Sequence, residues 1–166
     1  FFQQEFSLTE VNDLVKSVKL PKEYQVRDYQ TKAIAHAIRN KRCLLLSPTA
    51  SGKSLIIYLL SRFYPAKKLI IVPTTALVHQ MASDFKDYGY DQTIDKITAG
   101  QSKDGIENIT ITTWQSIYKM PKQWFQQYKV VIGDEAHLFK AKSLSKIMEK
   151  LTDCPWRFGF TGTLDG

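Results

Sequence analysis

Cysteine is scarce in this chain: Cys43 and Cys154 are the only two, far apart, with no C-x-x-C pair. That leaves no basis for a zinc ribbon or thioredoxin-type chemistry. Two free thiols fit a reducing, cytoplasmic setting. His36, His79 and His137 are scattered without metal-ligand spacing, so a histidine metal centre is not expected. Long apolar runs are missing as well. Leu55–Leu60 and Leu69–Val72 are the longest, far below the roughly 20 residues of a membrane span. The first residues, Phe1-Phe2-Gln3, form no basic-then-apolar signal segment, and a start at Phe instead of Met reads as a trimmed chain. No internal repeat or low-complexity tract occurs.

What is present is ordinary for a globular domain. The 166 residues are 43% hydrophobic and 23% charged, enough for one domain that buries roughly two-thirds of its unfolded surface without a staple. Lys and Arg total 23 against 16 Asp and Glu, a formal charge of +7. Such an excess favours polyanionic partners without proving them, and on charge alone a solvated basic surface is the plainer reading.

Ser7-Leu8-Thr9-Glu10 fits a capping box, followed by Leu8, Val11, Leu14, Val15 and Val18 at helical spacing until Pro21. A second helix is expected from about Arg27 to Asn40. Beyond it, short apolar runs alternate with helical stretches. Cys43–Leu46, Leu69–Val72, Ile109–Ile111 and Val130–Ile132 read as strands, and Leu55–Phe63, Ala76–Tyr88 and Leu144–Leu151 as helices. Continuously apolar strands between helices imply an α/β fold with a mostly parallel sheet covered on both faces. The ligand site of such a sheet lies beyond the carboxyl ends of its strands.

The polar clusters sit there. Cys43–Leu46 runs into Ser47-Pro48-Thr49-Ala50-Ser51-Gly52-Lys53-Ser54 and then a helix. This is the phosphate-loop arrangement G-x-x-x-x-G-K-[ST], with Ser47 in place of the first glycine. Backbone N–H groups of Thr49, Ala50, Ser51 and Gly52 would bind anionic oxygens at the helix start. Lys53 would reach the terminal phosphates of ATP, and the Ser54 hydroxyl would ligate Mg²⁺. Val130–Gly133 ends in Asp134-Glu135-Ala136-His137. An acid at the end of a buried strand can hold the same metal from the other side. Asp134 takes that part, and Glu135 that of orienting and deprotonating the attacking water.

Asp-Glu-Ala-His after an apolar strand resembles the DEAH/DExH box of superfamily 2 helicases, and further motifs follow the family's order. Arg27-Asp28-Tyr29-Gln30 resembles the Q-motif, which implies that Gln30, with Arg27 beside it, reads the adenine. Val72-Pro73-Thr74-Thr75-Ala76-Leu77-Val78-His79-Gln80 resembles motif Ia. Thr112-Thr113-Trp114-Gln115-Ser116 resembles the T-x-x-Q segment. The likeness implies nucleic-acid backbone contacts at Pro73, Thr74, Thr75, Gln80, Thr113 and Gln115. Thr161-Gly162-Thr163 resembles motif III, and with His137 it would couple nucleotide state to strand grip. Within the superfamily, Val72–Phe85, Ser102–Asp104, Thr113–Ser116 and Pro121–Phe125 resemble the phage UvsW-type DNA repair helicases.

The resemblance implies a RecA-like P-loop NTPase domain over residues 21–166, with residues 1–20 as an N-terminal helical extension. It implies an ATP- and Mg²⁺-dependent DNA helicase or translocase acting on single-stranded or branched DNA, in the host cytoplasm if phage-encoded. Family members also carry a second RecA-like domain with arginine fingers. Those arginines are absent here, so the isolated domain is expected to turn over ATP weakly. An RNA helicase of the DExH type, a restriction or remodelling motor, and a non-catalytic binding module are the alternatives. Three features have a plainer reading. The threonines at strand–helix junctions also suit helix caps. Trp114, Trp124 and Phe125 read first as core or interface residues and only second as base-stacking surfaces. Lys140, Lys142, Lys146 and Lys150 read as a solvated helix face.

Overall fold

The computed structural model describes residues 2–40, 42–46, 50–98, 107–135, 146–147, 149–151 and 154–161. Its centre is a six-stranded sheet in the order β1-β6-β5-β2-β4-β3. The strands are β1 (Arg42–Leu46), β2 (Lys68–Val72), β3 (Asp95–Ile97), β4 (Ile109–Thr113), β5 (Val130–Asp134) and β6 (Trp156–Thr161). Every pairing is parallel, from Leu46 beside Thr161 at one side to Ile97 beside Thr112 at the other. Parallel neighbours require crossovers. Helices α1 (Phe2–Val18) and α2 (Asp28–Arg39) precede β1; α3 (Ala50–Phe63) connects β1 to β2, α4 (Thr75–Asp87) connects β2 to β3, and the short α5 (Trp114–Ile117) and α6 (Lys122–Gln126) lie between β4 and β5.

The period-2 geometry of each strand divides its side chains between two cores. Ile70, Val130 and Ile132 face one core with Ile34, Leu59 and Phe85, which belong to α2, α3 and α4. Leu69, Ile71 and Val131 face the other with Ile117, Phe125 and Ile147. Helix α1 packs on α2 and α3, and its Val11 is fully buried. No helix among the described residues is long and apolar enough to cross a membrane.

Some sequence expectations need correction. The capping box at Ser7 is not used, because α1 runs unbroken through that position from Phe2; Gln3-Gln4-Glu5-Phe6 contains nothing that stops a helix. Helix α3 starts at Ala50, a turn before its apolar face begins at Leu55. Two strands were not expected. β3 is only three residues, and β6 is a continuous strand whose apolar pattern is broken by Arg157 and Gly159. Trp124 and Phe125 are core residues, as their first reading had it. For the helix expected over Leu144–Leu151, residues 146, 147, 149 and 150 are helical; 144, 145 and 148 lie outside the described set.

Candidate nucleotide and nucleic-acid sites

Strand β1 and helix α3 flank the phosphate-loop segment, and Lys53 and Ser54 lie in the first turns of α3. Both are buried, as is Gly52. Strand β5 ends at Asp134, also buried, and Glu135 follows with φ of 54°. A left-handed backbone is costly for a residue with a Cβ, and such strain gathers at functional positions. Although β6 lies between β1 and β5, the two carboxyl ends are close enough for one side chain to join them. Lys53 Nζ lies 2.9 Å from Asp134 Oδ1 and donates to Glu135 Oε1.

The electrostatics follow from this burial. Desolvation works against the Lys53 charge, but its contacts with Glu135 and Asp134 outweigh it and hold the ammonium above the ordinary lysine value. Burial raises the Asp134 carboxyl above its usual range, and Lys53 pulls it the other way without cancelling that effect. Asp134 Oδ1 makes no aligned hydrogen bond. A buried carboxylate oxygen that has only the Lys53 ion pair, beside a hydroxyl-bearing residue, is a fitting donor for a hard cation such as Mg²⁺. Ser54 shares a cavity of about 490 Å³ with Lys53, Asp134 and Glu135, and Gln80 and Asp84 of α4 close it.

A larger cavity of about 740 Å³ adjoins this one, lined among others by Tyr24, Arg27, Gln30, Gly52, Ser54 and Tyr88. Gln30 is buried and fixed at both ends of its carboxamide. Its Oε1 accepts from the Arg27 N–H at 2.8 Å, and its Nε2 donates to the Gly52 carbonyl at 3.0 Å. Gln30 therefore ties the start of α2 to the phosphate loop. Tyr88 was not anticipated. Its hydroxyl lies 2.5 Å from Ser54 Oγ, and Tyr24 packs edge-on against its ring at 4.9 Å. No local pattern marks Tyr88, since only the tertiary fold brings the end of α4 to the start of α3.

The residues expected at nucleic acid converge elsewhere on the same rim. Because β2 pairs with β4 in register, Val72 lies beside Thr113, and the two strand–helix junctions meet. Pro73, Thr74, Thr75, Thr113 and Gln115 line one cavity of about 310 Å³ with Ser116. Thr74 Oγ1 caps α4 by accepting from the Leu77 N–H at 3.2 Å, and Thr113 Oγ1 bonds Ser116 Oγ at 2.8 Å. Gln80 stands apart from this group, donating to Asp84 Oδ1 at 2.9 Å. Thr49, His137, Gly162 and Thr163 lie outside the described residues, as do the side chains of Ala50, Ser51 and Thr161.

Residues 23–166 match the family described as type III restriction enzyme, res subunit. The chain belongs to that family. It is 44% identical over 146 residues to the ATP-dependent DNA helicase uvsW of Enterobacteria phage T4, covering 82% of this chain and 29% of that protein. It is 28% identical over 167 residues to the DNA 3'-5' translocase XPB2 of Sulfurisphaera tokodaii, covering 98% and 36% respectively. The chain thus spans about a third of the length of these curated relatives. The crystal structure of the UvsW helicase from bacteriophage T4 superimposes with a TM-score of 0.77 at 42% identity, over 85% of this chain and 54% of that one. The fold is the RecA-like fold that the motif order implied, and the family's chemistry uses nucleotide.

Proposed function

We propose that this chain is the ATP-binding motor domain of an ATP-dependent DNA helicase or translocase that acts on single-stranded or branched DNA. One observation carries the reading: Lys53 stands between Asp134 and Glu135 where β1 and β5 end. The Lys53 ammonium would bind the terminal phosphate oxygens, exchanging its carboxylate partners for the substrate's charge. Ser54 and Asp134 would hold Mg²⁺, which neutralises charge on the transferred phosphoryl group. Glu135, the less buried acid of the pair, would orient the attacking water and take its proton. Arg27 and Gln30 would border the adenine, with the second Nε2 hydrogen of Gln30 available to a base edge.

The cavity of Pro73, Thr74, Thr75, Thr113 and Gln115 would hold a DNA strand by its backbone, because hydroxyls and N–H groups at helix starts suit phosphate oxygens. Gln80 would serve the same strand from further along α4. His137 and Thr161–Thr163 would pass hydrolysis on to strand movement, with a second RecA-like domain of the same protein completing the cleft. The experiment is steady-state ATPase of that two-domain motor with single-stranded DNA, forked DNA and RNA compared. DNA should stimulate most, and Glu135→Gln should lower turnover by roughly 10²–10⁴ while nucleotide still binds. Wild-type turnover in the variant would remove the assignment, and stronger stimulation by RNA would move it to an RNA helicase. The family match favours one second reading, a restriction-type motor that translocates without separating strands; triplex disruption without strand displacement would identify it.

A further inference from the structure

We infer that Lys119, Lys146 and Lys150, gathered around Tyr118, form a second contact surface for the DNA phosphodiester backbone, beyond the Thr74–Thr113 cavity. The inference rests on the reading of this domain as a DNA motor. The three lysines come from two separate segments. Lys119 follows α5, whereas Lys146 and Lys150 lie one helical turn apart in the segment that returns to β6. The fold brings them together. Lys119 Nζ and Lys146 Nζ lie 5.5 and 5.9 Å from the centre of the Tyr118 ring. Lys150 Nζ donates to the Tyr118 carbonyl at 2.7 Å and lies 5.8 Å from the Phe125 ring.

Among the described residues, none of these ammonium groups pairs with a carboxylate. Glu149, the acid on the same helical segment, is exposed and bridges to none of them. The half-buried Tyr118 ring offsets the repulsion between like charges only weakly, so an external anion completes the cluster. Its position says which anion. Helix α5 begins directly after Thr113 and ends with the Tyr118 N–H bonded to the Trp114 carbonyl. The patch is therefore about 6 Å of helix from the backbone-binding cavity. Two ammonium groups already occupy the Tyr118 ring, which makes the surface one for phosphates and not for stacked bases. It would grip DNA without regard to sequence, as a motor moving along a strand requires.

The test is fluorescence anisotropy of labelled forked DNA with the wild-type chain, K119Q/K146Q and K119R/K146R across a range of salt concentrations. Losing two phosphate contacts should make the slope of log K against log salt shallower by about 1.8. The arginine pair should restore it, and all three proteins should melt at the same temperature, since Lys119 and Lys146 are exposed. A glutamine variant that keeps the wild-type slope would overturn the inference and leave the motor reading intact. A wild-type chain that binds ATP·Mg²⁺ but no DNA at any salt concentration would overturn both.

Discussion

In the proposed nucleotide site the Ser54 hydroxyl would ligate the metal, and the Tyr88 hydroxyl lies 2.5 Å from it. With the Ser54 O–H directed at the Tyr88 oxygen, its lone pairs would be free for a metal, and Tyr88 would act as a positioning residue. Tyr88→Phe should leave metal-free nucleotide binding unchanged. It should raise the Mg²⁺ concentration needed for tight binding by about 10–100-fold, the usual effect of removing such a partner; an unchanged Mg²⁺ requirement, measured by titration calorimetry, would contradict this role. That Lys53, Ser54, Asp134 and Glu135 would line one cavity was legible in the sequence, because the proposed phosphate site needs these residue types at a strand end and a helix start. Tyr88 was not, because its partner belongs to a different helix. Nor did the sequence disclose that Gln30 is anchored at both ends of its carboxamide, since that depends on where α2 meets Gly52.

Helix α4 links the two proposed sites. Its first turn is capped by Thr74 in the Thr74–Thr113 cavity, and its end delivers Tyr88 to Ser54. The helix stops in a Schellman arrangement, with the Tyr90 N–H bonded to the Phe85 carbonyl and the Gly89 N–H to the Lys86 carbonyl, both at 3.0 Å. Gly89 has φ of 104°, and a Cβ there would meet only Pro21 Cδ at 3.9 Å. Space is available, so the conformation alone sets the cost of a side chain. Gly89→Ala should destabilise by about 1–2 kcal/mol, or roughly 3–6 °C in Tm for a chain of this size; an unshifted melting curve would show that the turn is not needed. Elements with a long apolar face were readable in outline. The edge strand β3 and the short helices α5 and α6 were not, because so few residues carry no periodicity and tertiary contacts decide them. β4 was readable only in its first part, since its apolar pattern gives way to Thr112 and Thr113. Both are buried, and Thr112 Oγ1 finds the Ile97 carbonyl at 2.9 Å.

At the scale of the whole molecule, sheet order decides function. Alternating strands and helices implied a parallel sheet, yet periodicity cannot say which strands are neighbours. The order β1-β6-β5-β2-β4-β3 places the phosphate-loop strand and the acid strand on either side of β6. It also places β2 beside β4, so that two distant threonine-rich junctions form one cavity. The basic excess of +7 and the run of Lys140, Lys142, Lys146 and Lys150 were legible; that Lys119 would join Lys146 and Lys150 around Tyr118 was not, because folding brings them together. The claim beneath the whole account is that Lys53, together with Ser54, Asp134 and Glu135, forms a triphosphate site. Calorimetric titration of the chain with a non-hydrolysable ATP analogue and Mg²⁺ tests it directly, comparing wild type with Lys53→Ala. The account predicts one site per chain and at least a tenfold loss of affinity in the variant, about 1.4 kcal/mol or more. Equal affinity in the two proteins would contradict it.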